Sequence, residues 1–125
     1  MAQRILVVDD EAPILLAMGT YFRKHGYDVD CAREREEAEA LLTTRRYACV
    51  IADLRLTAAH GADGLEIVGF VRERCPFTRI IIMTAYGSAA TEREARHRGV
   101  DAFLHKPKPL PDLAQIVYGL LGDEA

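Results

Sequence analysis

Apolar residues gather in five short runs along this chain, and between the runs their spacing changes to that of a helix. Ile5–Val8 is a continuous stretch of leucine and β-branched residues, the pattern of a strand buried on both faces. Ile14, Leu15, Met18, Tyr21 and Phe22 then recur at helical spacing, and Gly26 stops that helix. Tyr27–Ala32 alternates apolar and charged residues, which predicts an edge strand. Glu34–Arg46 reads as a helix with Ala38, Leu41 and Leu42 facing inward, and Ala48–Asp53 as the third strand. Gly64–Cys75 carries Leu65, Val68 and Val71 on one helical face and ends at Pro76. Arg79–Thr84 is an isoleucine-rich fourth strand. Ser88 is placed to N-cap a helix that runs to Arg98 and closes at Gly99. That helix is rich in alanine and charge, so it is expected to be the least firmly packed. Asp101–His105 is the last strand. Leu110, Leu113, Ile116, Val117, Leu120 and Leu121 mark a final helix from near Pro111 to Gly122.

A strand and a helix alternating in this way predict an α/β fold with right-handed crossovers and a doubly wound parallel sheet. The most apolar strands, the first, third and fourth, belong at the centre, and the more polar second and fifth at the edges. The order 2-1-3-4-5 satisfies both conditions. A length of 125 residues suits one domain and is short for two.

Composition narrows the class. Half of the residues are hydrophobic and 28% are charged, as in a chain with a packed core. A net charge of −3 and a pI near 5.8 argue against nucleic-acid binding by this domain. No apolar run approaches the length of a membrane span and no signal-peptide layout is visible, so the expected setting is cytoplasmic, without a membrane partner. Cys31, Cys49 and Cys75 are scattered and read as reduced thiols. They and His25, His60, His97 and His105 lack zinc-ligand spacing.

The candidate chemistry lies where the strands end. The first strand runs into Asp9 and Asp10, the third into Asp53, the fourth into Thr84, and the fifth, through His105, into Lys106. Ligands of open parallel sheets bind at that edge. Each residue alone has an ordinary explanation: acids cap helices, threonine is common at strand ends, and most lysines are solvated. Gathered at one edge, these carboxylates, a hydroxyl and an ammonium suit a divalent metal and a phosphoryl group.

The motifs Ile-Leu-Val-Val-Asp-Asp-Glu, Val-Ile-Ala-Asp-Leu, Ile-Ile-Ile-Met-Thr-Ala and Phe-Leu-His-Lys-Pro occur in that order on those elements. The chain resembles the receiver domain of two-component response regulators over nearly its whole length, about residues 3–121. The resemblance implies a flavodoxin-like (βα)5 fold and a single receiver domain spanning residues 1–125. It makes Asp53 the phosphoacceptor, a carboxylate nucleophile toward the phosphohistidine of a sensor histidine kinase or phosphotransfer protein. Asp10 and Asp53 become direct Mg²⁺ ligands with the backbone carbonyl of Arg55, while Asp9 acts through water. Thr84 hydrogen-bonds the phosphoryl group and Lys106 pairs with it. The Lys106–Pro107 peptide resembles the family's cis bond, which aims Lys106 into the site. Such a domain is not a metabolic enzyme; it catalyses only its own phosphorylation and dephosphorylation.

The family pattern also implies a switch, in which Thr84 moves toward the phosphoryl group and Phe103 turns inward behind it. A phenylalanine has no hydroxyl to donate, so this switch rests on packing. The output surface is then the fourth helix, fifth strand and fifth helix, read either by a separate partner or by an effector domain. Homodimerisation through that surface stays open, because no residue specifies it. The kinase, pathway and output type are not legible. The chain stops soon after its last helix pattern, which fits either a stand-alone regulator or a piece of a longer one.

Three other readings compete. A pseudo-receiver usually lacks the acceptor, an acidic partner or the lysine, and all are here. An aspartyl phosphatase places a second aspartate where Arg55 stands. A flavodoxin-like electron carrier needs a phosphate loop where Asp9-Asp10-Glu11-Ala12-Pro13 stands.

The chain departs from the family in two places. Thr57 occupies the usual proline position, and the loop Thr57–Asp63 is about three residues longer than usual. It reads as a surface insertion, a lid or a partner contact. In the family the positions of Arg55 and Tyr86 flank the path of the hydrolytic water, and since both side chains here are large the resemblance implies a shielded, long-lived phosphoryl state. Arg55→Ala and Tyr86→Ala proteins should therefore lose phosphate faster than the parent in a chase of the phosphorylated form; equal rates would refute the shielding.

Overall fold

A computed structural model describes residues 2–54, 63–85 and 87–122, without the side chain of Asp63. Five strands alternate with five helices. The strands are β1 (Arg4–Val8), β2 (Asp28–Ala32), β3 (Cys49–Asp53), β4 (Arg79–Thr84) and β5 (Ala102–His105). The helices are α1 (Ala12–Lys24), α2 (Arg35–Thr44), α3 (Asp63–Arg74), α4 (Ala89–His97) and α5 (Leu110–Leu121). All neighbouring strands pair in parallel, in the order β2-β1-β3-β4-β5. The predicted fold class and order are those observed.

Alternation along each strand divides the core into two layers. Leu6, Val8, Val50, Ala52, Ile80 and Ile82 face α2, α3 and α4. Ile5, Val7, Cys49, Ile51, Ile81 and Met83 face α1 and α5. The three central strands are buried on both sides, which explains why they read as unbroken apolar runs.

Element ends differ from the sequence reading by one or two residues, and the causes are local. Tyr27 precedes β2 and is buried against Phe22 and Tyr118. Gly26 turns the chain into it with φ +92°. Helix α2 stops at Thr44, and Arg45 swings out to pair with Asp30 at 3.0 Å. Ser88 caps α4 as expected, its Oγ accepting from the Thr91 N–H at 3.1 Å. Within α4, Ala95 is the buried residue, which agrees with its weak apolar stripe.

Arg72 ties the end of α3 to the segments that lead into β4 and β5. Arg72 donates to the carbonyls of Gly99 (2.9 Å) and Thr78 (2.5 Å) and to Asp101 Oδ2 (2.9 Å). Asp101 Oδ2 also accepts from the Ile80 N–H at 2.8 Å. Truncating Arg72 removes the donor to the Gly99 and Thr78 carbonyls and one partner of Asp101, which keeps the Ile80 N–H and Arg79. Arg72→Ala should lower the free energy of urea unfolding by about 2–3 kcal/mol; an unchanged midpoint would contradict this role.

Candidate functional site

In-register parallel pairing brings the C-terminal ends of β1, β3, β4 and β5 to one edge, and with them the residues that follow. Asp9 is buried, whereas Asp10 and Asp53 are half-buried. One carboxylate oxygen from each of these three residues lies within 4.8 Å of the others. Asp9 is held on both sides: the Glu11 N–H donates to Oδ1 at 2.9 Å and Lys106 Nζ to Oδ2 at 2.8 Å. Lys106 Nζ also lies 3.4 Å from Asp53 Oδ1. The ammonium thus bridges the ends of β1 and β3 from the residue after β5. Its backbone N–H donates to the Thr84 carbonyl at 2.8 Å, and the Lys106–Pro107 peptide is cis.

The electrostatics follow from crowding. Burial is the largest influence on Asp53 and pushes its carboxyl up; Lys106 pulls it back, while Asp9 and Asp10 push it up further, and the net direction is up. Burial alone would lower the Lys106 ammonium, but Asp9 and Asp53 together outweigh it and the net direction is again up. Among the described residues, Lys106 is the cation between Asp9 and Asp53, and the Arg33 guanidinium reaches the Asp10 backbone carbonyl at 3.3 Å. The carboxylates, as hard oxygen donors, fit a divalent cation such as Mg²⁺ or Ca²⁺.

Thr84 is fully buried, and its Oγ1 donates to the carbonyl of Leu54, the residue after Asp53, at 3.0 Å. Phe103 is 6% exposed and packs in the layer under α2, α3 and α4. Gly87 lies between these two side chains. A Cβ there would stand 2.6 Å from Thr84 Cγ2 and 2.8 Å from two atoms of the Phe103 ring. This three-way contact was not legible in the sequence, where Gly87 reads as an ordinary loop residue. Arg55, Tyr86 and most of the loop Thr57–Asp63 lie outside the described residues, so the carbonyl ligand and the shielding groups expected there have no structural description.

This edge thus gathers acids, a hydroxyl and a lysine at the C-terminal ends of a parallel sheet of order 2-1-3-4-5. The response regulator receiver domain profile matches residues 5–118, and the chain belongs to that family, the receivers of two-component signalling. It is 33% identical to the photosynthetic apparatus regulatory protein RegA of Cereibacter sphaeroides, over 94% of this chain and 60% of RegA. It is 36% identical to the alginate biosynthesis transcriptional regulatory protein AlgB of Pseudomonas aeruginosa, over 83% of this chain and 22% of AlgB. The chain thus spans 60% or less of the length of these relatives. Among solved structures, a CheY-like receiver domain protein from Methanospirillum hungatei superposes with a TM-score of 0.89 at 25% identity, covering 98% of this chain and 95% of that one. A Burkholderia pseudomallei response regulator solved with a phosphorylated aspartic acid, calcium ion and citrate gives 0.82 at 27% identity, covering 94% and 66%.

The raised Asp53 carboxyl has a consequence for stability. Its folded pKa lies above the unfolded value, so its ionisation opposes folding at pH values above that range and the penalty disappears as pH falls below it. In EDTA at pH 7, Asp53→Asn should unfold at a higher urea concentration than the parent, and the gap should close near pH 3. A less stable Asp53→Asn protein at pH 7 would reverse the sign of this assignment.

Proposed function

We propose that Asp53 is the phosphoacceptor and that the chain works as a Mg²⁺-dependent receiver for a sensor histidine kinase or phosphotransfer protein. The observation that supports this most is the Lys106 ammonium, 3.4 Å from Asp53 and 2.8 Å from Asp9, beside the three-carboxylate cluster. An Asp53 oxygen attacks the phosphorus of a phosphohistidine. The P–N bond breaks, its electron pair stays on the imidazole nitrogen, and an aspartyl phosphate remains. Lys106 then pairs with a phosphoryl oxygen and Thr84 donates a hydrogen bond to another. Asp10 and Asp53, with the backbone carbonyl of Arg55, would hold the metal. Asp9, already engaged by Lys106 and the Glu11 N–H, would act on it through water. The bound cation supplies positive charge against the equatorial phosphoryl oxygens, where transfer needs it. Hydrolysis of the aspartyl phosphate to free phosphate resets the chain, at a rate modulated by Arg55 and Tyr86.

The signal leaves through Thr84. To reach a phosphoryl oxygen its hydroxyl gives up the Leu54 carbonyl, and its methyl group then leaves the space shared with Gly87 and Phe103. The Phe103 ring already lies inward, so its adjustment is a repacking under α4 rather than a swing from solvent. Helix α4, with few buried residues, is the element such repacking moves most easily. We read residues 1–125 as a single receiver domain with its core at about 3–121. It acts in the cytoplasm and presents α4, β5 and α5 to an output partner or effector domain. Among the described residues no helix is long and apolar enough to cross a membrane.

Incubation with acetyl phosphate tests acceptor and metal together. Intact mass should rise by one phosphoryl group in wild type with Mg²⁺, and should stay unchanged in Asp53→Ala or in EDTA. Equal labelling without Mg²⁺, or labelling of Asp53→Ala, would defeat the proposal.

A further inference from the structure

The edge of the sheet opposite the acidic site carries a groove that the receiver chemistry does not use. The α2–β3 and α3–β4 turns enclose about 370 Å³ between Arg46, Tyr47, Arg74, Cys75 and Phe77. Phe77 is 94% exposed, an unusual state for a large apolar side chain. Arg46 and Arg74 are both exposed, and neither has a carboxylate partner among the described residues. The Arg74 guanidinium lies over the Phe70 ring, 4.4 Å from its centroid, which steadies it. The floor is fixed as well. Thr78 Oγ1 donates to the Tyr47 carbonyl at 2.7 Å, and the Arg79 N–H to the Ala48 carbonyl at 2.9 Å. Nearby cations are already committed: Arg4 faces Asp30 and Arg79 pairs with Asp101.

This local charge opposes that of the whole molecule, which carries −3. We propose that the groove docks an acidic peptide segment of a partner protein, with an apolar residue of that segment set against Phe77. Guanidinium forks match carboxylates in bidentate geometry, and an exposed aromatic on a rigid base is a suitable anchor. Two guanidiniums are too few for a nucleic-acid backbone, whose binding relies on a broad basic face. The groove sits at the N-terminal ends of the strands and Asp53 at a C-terminal end, so docking and phosphorylation do not compete for one surface.

The test uses the full chain and a fluorescein-labelled peptide in which aspartates and glutamates flank a central Leu-Phe pair. Anisotropy titration should show saturable binding that weakens with added salt. Arg46→Glu/Arg74→Glu should weaken it by about tenfold or more, two lost charge pairs being worth about 1.4 kcal/mol. Phe77→Ser should weaken it too. All three positions are exposed, so thermal melts and acetyl phosphate labelling of these variants should match wild type. No saturable binding to wild type, or equal affinity in the double variant, would overturn the proposal. So would equal displacement by a thymidine oligonucleotide of matched charge, which would make the groove a general anion surface.

Discussion

Everything at the functional edge depends on one ammonium among three carboxylates. Lys106 touches Asp9 and approaches Asp53, so β1 and β3 are joined electrostatically through a residue that follows β5. The parallel register makes this possible, since it ends four strands at the same level. The arrangement is under-neutralised by design of its parts: burial and neighbouring acids raise the Asp53 carboxyl even with Lys106 beside it. A divalent cation would offset the two negative charges that Lys106 leaves uncompensated.

The same edge is tied mechanically to the face beyond it. Thr84 is fully buried and its hydroxyl donates to Leu54 O, so a new acceptor for its proton must replace that bond. Its methyl group and the Phe103 ring converge on Gly87, where even one added carbon would not fit. Close-packed interiors pass small displacements on rather than absorb them. At the other end of α4, Arg72 holds the Gly99 carbonyl and Asp101. The helix is therefore anchored near its C-terminus, and the Thr84–Gly87–Phe103 contact lies just before its N-terminus.

Much of this could be read from the residues, for definite reasons. β1, β3 and β4 were legible because strands buried on both faces leave no polar positions to confuse the period. Ser88, Gly26 and Gly122 marked helix ends because capping and positive φ depend on residue type alone. The candidate site residues could be grouped from the sequence, since each ends or closely follows a strand. Their contacts were less so. Asp9 and Asp10 are adjacent and chemically identical, and only the fold decides which one is buried against Lys106. The Leu54 carbonyl and Gly87 carry no side-chain signal, so their part in holding Thr84 and Phe103 emerges only in three dimensions.

The two edges of the sheet also differ in how their charge is managed. At the C-terminal edge, acids crowd together with one cation held among them, a state suited to capturing more positive charge. On the outer strand β2, Asp30 takes donors from Arg45 and Tyr47. Burial works to raise its carboxyl, but the Tyr47 and Arg45 hydrogen bonds outweigh it and hold the net direction down. The Tyr47 hydroxyl is in turn pushed well above its ordinary range, by burial first and then by Asp30. That cluster is satisfied and has nothing further to bind. Arg46 and Arg74, one residue beyond the satisfied Arg45 and two beyond the satisfied Arg72, lack such partners among the described residues. Neighbouring guanidiniums are thus split between structural pairing and open surface, and the open ones cluster around the most exposed aromatic ring described. The contrast is the physical basis of the proposed docking: those guanidiniums are exposed without a carboxylate among the described residues, while their neighbours are paired.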